Sequence, residues 1–160
     1  MLELIMTVAV VTVFFGAVVV ALPRCMEEYI TMKKTSDALE ITSVLENGLA
    51  TELCGSSRVV FGGEREALNY VRNQELRYFP INYDEGSEVT ITSGDAYVMT
   101  VVGKPKIYGT LYDTNFYDDM SVEVVLTYVT DASSMNVKIT VYDSDGLSLA
   151  VSEKPIILYN

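Results

Sequence analysis

The sequence predicts an α+β protein: a long N-terminal helix, apolar in its first half and amphipathic in its second, with an antiparallel β-sheet head packed on it. Three observations predict it. Leu4 to Leu22 carries no charge. Ala38, Ile41, Leu45, Leu49 and Leu53 recur at spacings of three and four, which draws one apolar stripe along a helix. Beyond Arg58 the apolar period changes to two, the period of half-buried strands.

The first element is LIMTVAVVTVFFGAVVVAL. At about 1.5 Å per residue it spans about 28 Å, close to the ~30 Å hydrocarbon core of a bilayer. Its many valines are poor helix formers in water. In lipid a single span bonds its own backbone only as a helix, so that propensity matters little. A cleaved secretory signal would want a basic start, and here it is Met1-Leu2-Glu3. A lipid anchor at Cys25 would want a small residue before the cysteine, where Arg24 stands. Glu3 is the odd residue: a carboxylate beside an apolar span is either a headgroup-level residue or one that pairs with a cationic group when the helix leaves lipid.

Pro23 closes the apolar run. It removes one backbone donor and kinks a helix without having to end it. The stripe follows, with Glu27, Glu28, Lys34, Asp37, Glu40 and Glu46 largely off it and Gly55 as a C-cap. The expected division is therefore 1–23, a transmembrane or filament-core segment, and 24–160, a head that includes the amphipathic half-helix 24–55.

The head reads as strands. Val122, Val124, Leu126 and Tyr128 alternate with Glu123, Val125 and Thr127, and Met135, Val137, Ile139 and Val141 alternate with Asn136, Lys138, Thr140 and Tyr142. Thr130 to Ser134 is the turn between them. Asp145-Gly146 turns the chain into a third strand beginning Leu147-Ser148-Leu149-Ala150-Val151. Pro155 suits an edge strand or a bulge. Weaker strands are expected at Arg58–Phe61, Glu88–Thr92, Tyr97–Val102 and Lys106–Leu111, and a short helix at Glu64–Arg72.

Composition excludes more than it selects. The chain has 160 residues, 49 % of them hydrophobic, and a formal charge of −11. An acidic surface repels nucleic acid, and no basic patch with interleaved aromatics offsets it. There is no histidine, so the commonest acid–base group and metal ligand is missing. No Ser, Cys or Lys nucleophile has an identifiable base partner, and no catalytic residue or cofactor is expected. Asp113, Asn115, Asp118 and Asp119 form one oxygen-rich run, and Asp143 and Asp145 another. Neither fits a twelve-residue calcium loop, and the second is more simply a hairpin turn. Gly62-Gly63 is a loop without the Lys-Ser or Lys-Thr of a phosphate cradle. Eleven tyrosines without tryptophan suit strands or an adhesive surface. Cys25 and Cys54 read as free, buried thiols. If one helix joins them, about 43 Å separates two residues that a disulfide needs within about 7 Å.

Met1-Leu2-Glu3-Leu4-Ile5, the unbroken apolar helix, Ala21-Leu22-Pro23 and the amphipathic continuation together resemble the N-terminus of type IV pilins and pseudopilins. Asp37-Ala38-Leu39-Glu40 through Leu49-Ala50-Thr51-Glu52-Leu53 also looks like the continuation helix of pilin-like proteins of Gram-positive bacteria. In that family a leader is cut after a Gly and a Glu sits at the fifth mature position. Glu3 stands third here, so processing differs or residues precede Met1. The Glu3-to-Pro23 interval is also longer than in the commonest pilins.

The resemblance implies a structural subunit, pilin, minor pilin or pseudopilin, cut by a prepilin peptidase and often N-methylated. An assembly ATPase would extract it from the cytoplasmic membrane into a cell-surface filament. Its assembly residues would be Met1, Glu3 and Pro23, and its partners other pilin-like subunits. The resemblance also sets topology. Arg24, Lys33 and Lys34 follow the span and nothing basic precedes it, which alone would place the head in the cytoplasm. Removal of a basic leader would place it outside. The alternative is a single-span anchored extracytoplasmic domain that binds or senses as a monomer.

Overall fold

The computed structural model describes residues 1–54, 56, 58–61, 68–72, 75–78, 81–82, 88–94, 96–107, 115–129 and 134–158. The chain divides into two compact units, Met1–Ser36 and Asp37–Asn160. A single helix, α1 (Leu2–Leu53), runs through both and is not interrupted at Pro23. With the sheet below it, this is the α+β arrangement that the sequence predicts.

The second unit is built on five strands: β5 (Glu88–Ser93), β6 (Ala96–Gly103), β8 (Ser121–Val129), β9 (Ser134–Tyr142) and β10 (Ser148–Ile157). The numbering counts in chain order from β1 (Arg58–Phe61), β2 (Leu68–Arg72), β3 (Glu75–Tyr78) and β4 (Ile81–Asn82), with β7 (Lys106–Ile107) between β6 and β8. The sheet order is β10-β9-β8-β6-β5. Every neighbouring pair is antiparallel. β1, β2 and β3 form a second antiparallel sheet, and β4 pairs with β7. Residues 68–72 are thus strand where the sequence reading placed helix. Pairing on both sides, to β1 and β3, overrides a weak local preference. Residues 64–67, and with them Gly62-Gly63, lie outside the described residues, as do Gly55, Asp113 and 130–133.

Register decides what is buried. Val124 stands opposite Ile139 and Val101, and Leu126 opposite Val137 and Met99. These residues, with Val122, Met135 and Val141, are almost wholly buried. They join Ala38, Ile41, Leu45, Leu49 and Leu53 of α1 in one apolar cluster. Thr42 lies in the same stripe, and its hydroxyl donates to the Ala38 carbonyl at 2.8 Å, which removes the penalty of burying it. Beyond the helix end, the amide and hydroxyl of Ser56 both donate to the Leu53 carbonyl, at 3.0 and 2.7 Å. This closes the terminus with a buried side chain.

The β9–β10 turn is held by Asp143. Its Oδ1 accepts from the amides of Asp145 and Leu147 at 3.0 and 2.8 Å, and Gly146 takes φ +79°, a region glycine enters without strain. A register shift between Ser148 and Ala150 follows. It turns Ala150 and Ile156 inward, leaving Leu147 and Val151 exposed.

β10 is an edge strand and carries Pro155, as expected. Two polar residues on its inner side meet the helix. Ser152 Oγ donates to Glu46 Oε2 at 2.8 Å, and Lys154 forms an ion pair with Glu46 Oε1. Glu46 therefore belongs to the helix–sheet contact, although its place beside the apolar stripe reads as solvent-facing. The hydrogen bond from Lys154 holds its carboxyl below the ordinary glutamate range; partial burial opposes this, and the Ser152 hydroxyl and the Lys154 charge add to the lowering. A lowered folded-state pKa gives stability that is present above the unfolded value of about 4.3 and lost as pH falls through the folded one. Lys154 is 63 % exposed, so solvent screens the pair. Glu46→Gln is expected to destabilise the head by no more than about 1 kcal/mol at pH 7. The difference from wild type should close on acidification below the glutamate range. Urea melts at pH 7 and pH 3 check this, and a constant difference would remove Glu46 from the linkage.

Candidate assembly surface

The surface is built by what α1 does not bury. No residue of the Met1–Ser36 unit is buried. Val13, Phe14 and Phe15 are exposed, as are Val8, Val10, Val19, Val20 and Leu22. By length and composition this part of α1 is apolar enough to cross a membrane. Its two hydroxyls are satisfied within the helix: Thr7 Oγ1 donates to the Glu3 carbonyl at 2.8 Å and Thr12 Oγ1 to the Val8 carbonyl at 2.7 Å. A helix in hydrocarbon needs both, because no water is there to take them.

The three predicted assembly residues fall on this unit. Met1 lies just before the helix, and its carbonyl accepts from the Ile5 amide at 3.3 Å. Glu3 is exposed in the first turn, where a carboxylate also complements the helix dipole by about 0.3–1 kcal/mol. Pro23 lies inside the helix and denies the Val19 carbonyl its usual donor. The structure brings Met1 and Glu3 into one turn and leaves Pro23 about five to six turns further along.

No protein-family model, curated protein or solved structure matches this chain.

The residues that could carry other chemistry are placed as follows. Asn115, Asp118 and Asp119 lie in the turn 115–119, where Asp118 takes φ +48°. Asp37, Glu40, Asn115 and Asp118 line a cavity of about 440 Å³ with Ile41, Phe116 and Met120. Among the described residues no group of three acidic or sulfur ligands converges on one point. Asp143 is engaged in its turn. Tyr142 Oη donates to Glu123 Oε2 at 2.9 Å, a bond that raises the tyrosine pKa first, with burial adding to it. Both cysteines are free, but neither is buried, contrary to the sequence reading. Cys25 lies exposed in the Met1–Ser36 unit, and Cys54 just beyond the helix end has Sγ 3.6 Å from the Ile157 carbonyl.

Proposed function

We propose that this chain is a structural subunit, a pilin, minor pilin or pseudopilin, of a type IV pilus-like filament, assembled through its apolar N-terminal helix. One observation carries the reading. α1 is one helix with two destinations: its stripe from Ala38 to Leu53 is buried in the apolar cluster of the head, while no residue from Leu4 to Leu22 is buried among the described residues. Lipid can cover the second surface, and so can copies of the same helix. A subunit that passes from one cover to the other needs just such a division. Met1, Glu3 and Pro23 are its assembly residues, and the partners are other pilin-like subunits, with a prepilin peptidase and an assembly ATPase as machinery. Residues 24–160 would lie outside the cytoplasmic membrane and, after assembly, on the cell surface.

Topology and assembly are tested together. In a Cys25→Ser/Cys54→Ser background, Ser144→Cys places one thiol in the exposed β9–β10 turn. A membrane-impermeant maleimide should label it on intact cells, and shearing should release the labelled chain in high-mass filaments. Labelling only after lysis would sink the topology. Surface labelling without any sheared material would favour a monomeric, single-span anchored binding domain.

A further inference from the structure

We propose that segment 24–34 of α1 is a register-selecting interface between parallel copies of this chain, in which the acidic pair Glu27/Glu28 of one copy meets Lys33 of a neighbour displaced by about six residues. The inference rests on the filament reading above and adds to it the axial register.

The charges of this segment come in blocks: Arg24, then Glu27 and Glu28, then Lys33 and Lys34. All five are exposed, and none makes an ion pair with another described residue. The acids and lysines stand five to seven residues apart, not the three or four at which a helix pairs its own side chains. Arg24, three and four residues before the acids, can neutralise one of them and not both. The blocks are thus left for a partner.

Helix geometry selects that partner. At ~100° per residue, Lys33 lies about 140° around the axis from Glu28 and about 240° from Glu27, on the opposite side of the helix. The acidic side of one copy therefore faces the Lys33 side of the next. Such a contact is heterologous and repeats without closing. Six residues amount to an axial shift of about 9 Å. Without that shift, Lys33 stands level with the neighbour's Lys34, and like charges meet. Copies whose apolar runs share one bilayer are held near zero shift, because those runs occupy the same slab. The same five charges thus disfavour pairing in the membrane and favour it once copies are displaced along the helix axis. Each pair is weak at an exposed site; the selection comes from repeating it at every contact. Met26 and Ile30, exposed on the Lys33 side, supply apolar surface to the same contact.

The test uses the full-length chain, half of the copies isotopically heavy, and a carbodiimide that condenses a lysine amine with a carboxylate only where they touch. Sheared material should yield light–heavy cross-links of Lys33 to Glu27 or Glu28, in a ladder that continues past the dimer. Glu27→Lys/Glu28→Lys should lower the sheared fraction about tenfold, and adding Lys33→Glu/Lys34→Glu should restore most of it. Sheared material without these cross-links would overturn the inference. So would a ladder that stops at the dimer, the mark of an antiparallel pair, and so would failure of the charge swap to restore assembly. Absence of sheared wild-type material would overturn the filament reading itself, and this inference with it.

Discussion

Expressed without residues 1–23, the chain is expected to be a soluble domain that melts cooperatively, and Leu45→Asp is expected to abolish that transition. Leu45 is fully buried between its stripe neighbours and the sheet, in a cluster whose members are apolar. Truncation to Ala would remove buried apolar atoms and leave a cavity, at about 2–5 kcal/mol. Asp adds a carboxylate with no cation in that cluster, so the total should exceed about 5 kcal/mol. A domain holds only about 5–15 kcal/mol in all. Leu45→Ala should therefore lower the melting temperature by about 10 °C, and Leu45→Asp should leave little folded chain at 25 °C. Leu39 gives the control: it is 57 % exposed on the same helix, and Leu39→Asp should change stability by less than about 0.5 kcal/mol. Circular dichroism melts of the three variants suffice. An unchanged melting temperature for Leu45→Asp would show that the stripe does not hold the head together.

Strong periodicity made most of this fold legible. The stripe from Ala38 to Leu53 and the alternations of β8 and β9 each have several apolar residues on one phase, and burial follows them. What escaped were features set by partners distant in sequence. Residues 68–72 are strand because β1 and β3 flank them, which no local window contains. In β10 the apolar series Leu147, Leu149, Val151 suggests one inner phase, but the bulge before Ala150 reverses it and puts Ala150 inside. Glu46 reads as solvent-facing until Ser152 and Lys154, more than a hundred residues later, are set against it. The proposed assembly residues rest on local sequence alone. Met1, Glu3 and Pro23 lie in the Met1–Ser36 unit, which has no buried residue, so burial adds nothing to what the sequence says of them.

Glu3→Ala is expected to leave the head folded and the helix inserted, yet to reduce the subunit in filaments by tenfold or more. In the membrane, Glu3 lies at the end of the apolar run and in the first turn, so its carboxylate reaches the interface and costs little. Loss of its dipole interaction removes only about 0.3–1 kcal/mol from a helix of 52 residues. In the proposed filament the same turn would be surrounded by neighbouring apolar helices. Apolar packing is weakly directional and tolerates many axial registers. A buried carboxylate does not, because leaving it unpaired costs several kcal/mol while a neighbour's N-terminal ammonium relieves that penalty. Registers that bring the two together are preferred, and two or three kcal/mol of such preference corresponds to a factor of about thirty to a hundred and fifty. The measurement is the ratio of this subunit in sheared filaments to that in membranes, for Glu3→Ala against wild type. Glu3→Gln separates charge from shape: it keeps the hydrogen-bonding oxygen, loses the ion pair, and should fall with Glu3→Ala. Head folding, read by proteolytic resistance of the membrane-bound variant, should stay at the wild-type level. Equal ratios for wild type and Glu3→Ala would reduce Glu3 to an interfacial residue and leave the register to the charged segment beyond Pro23.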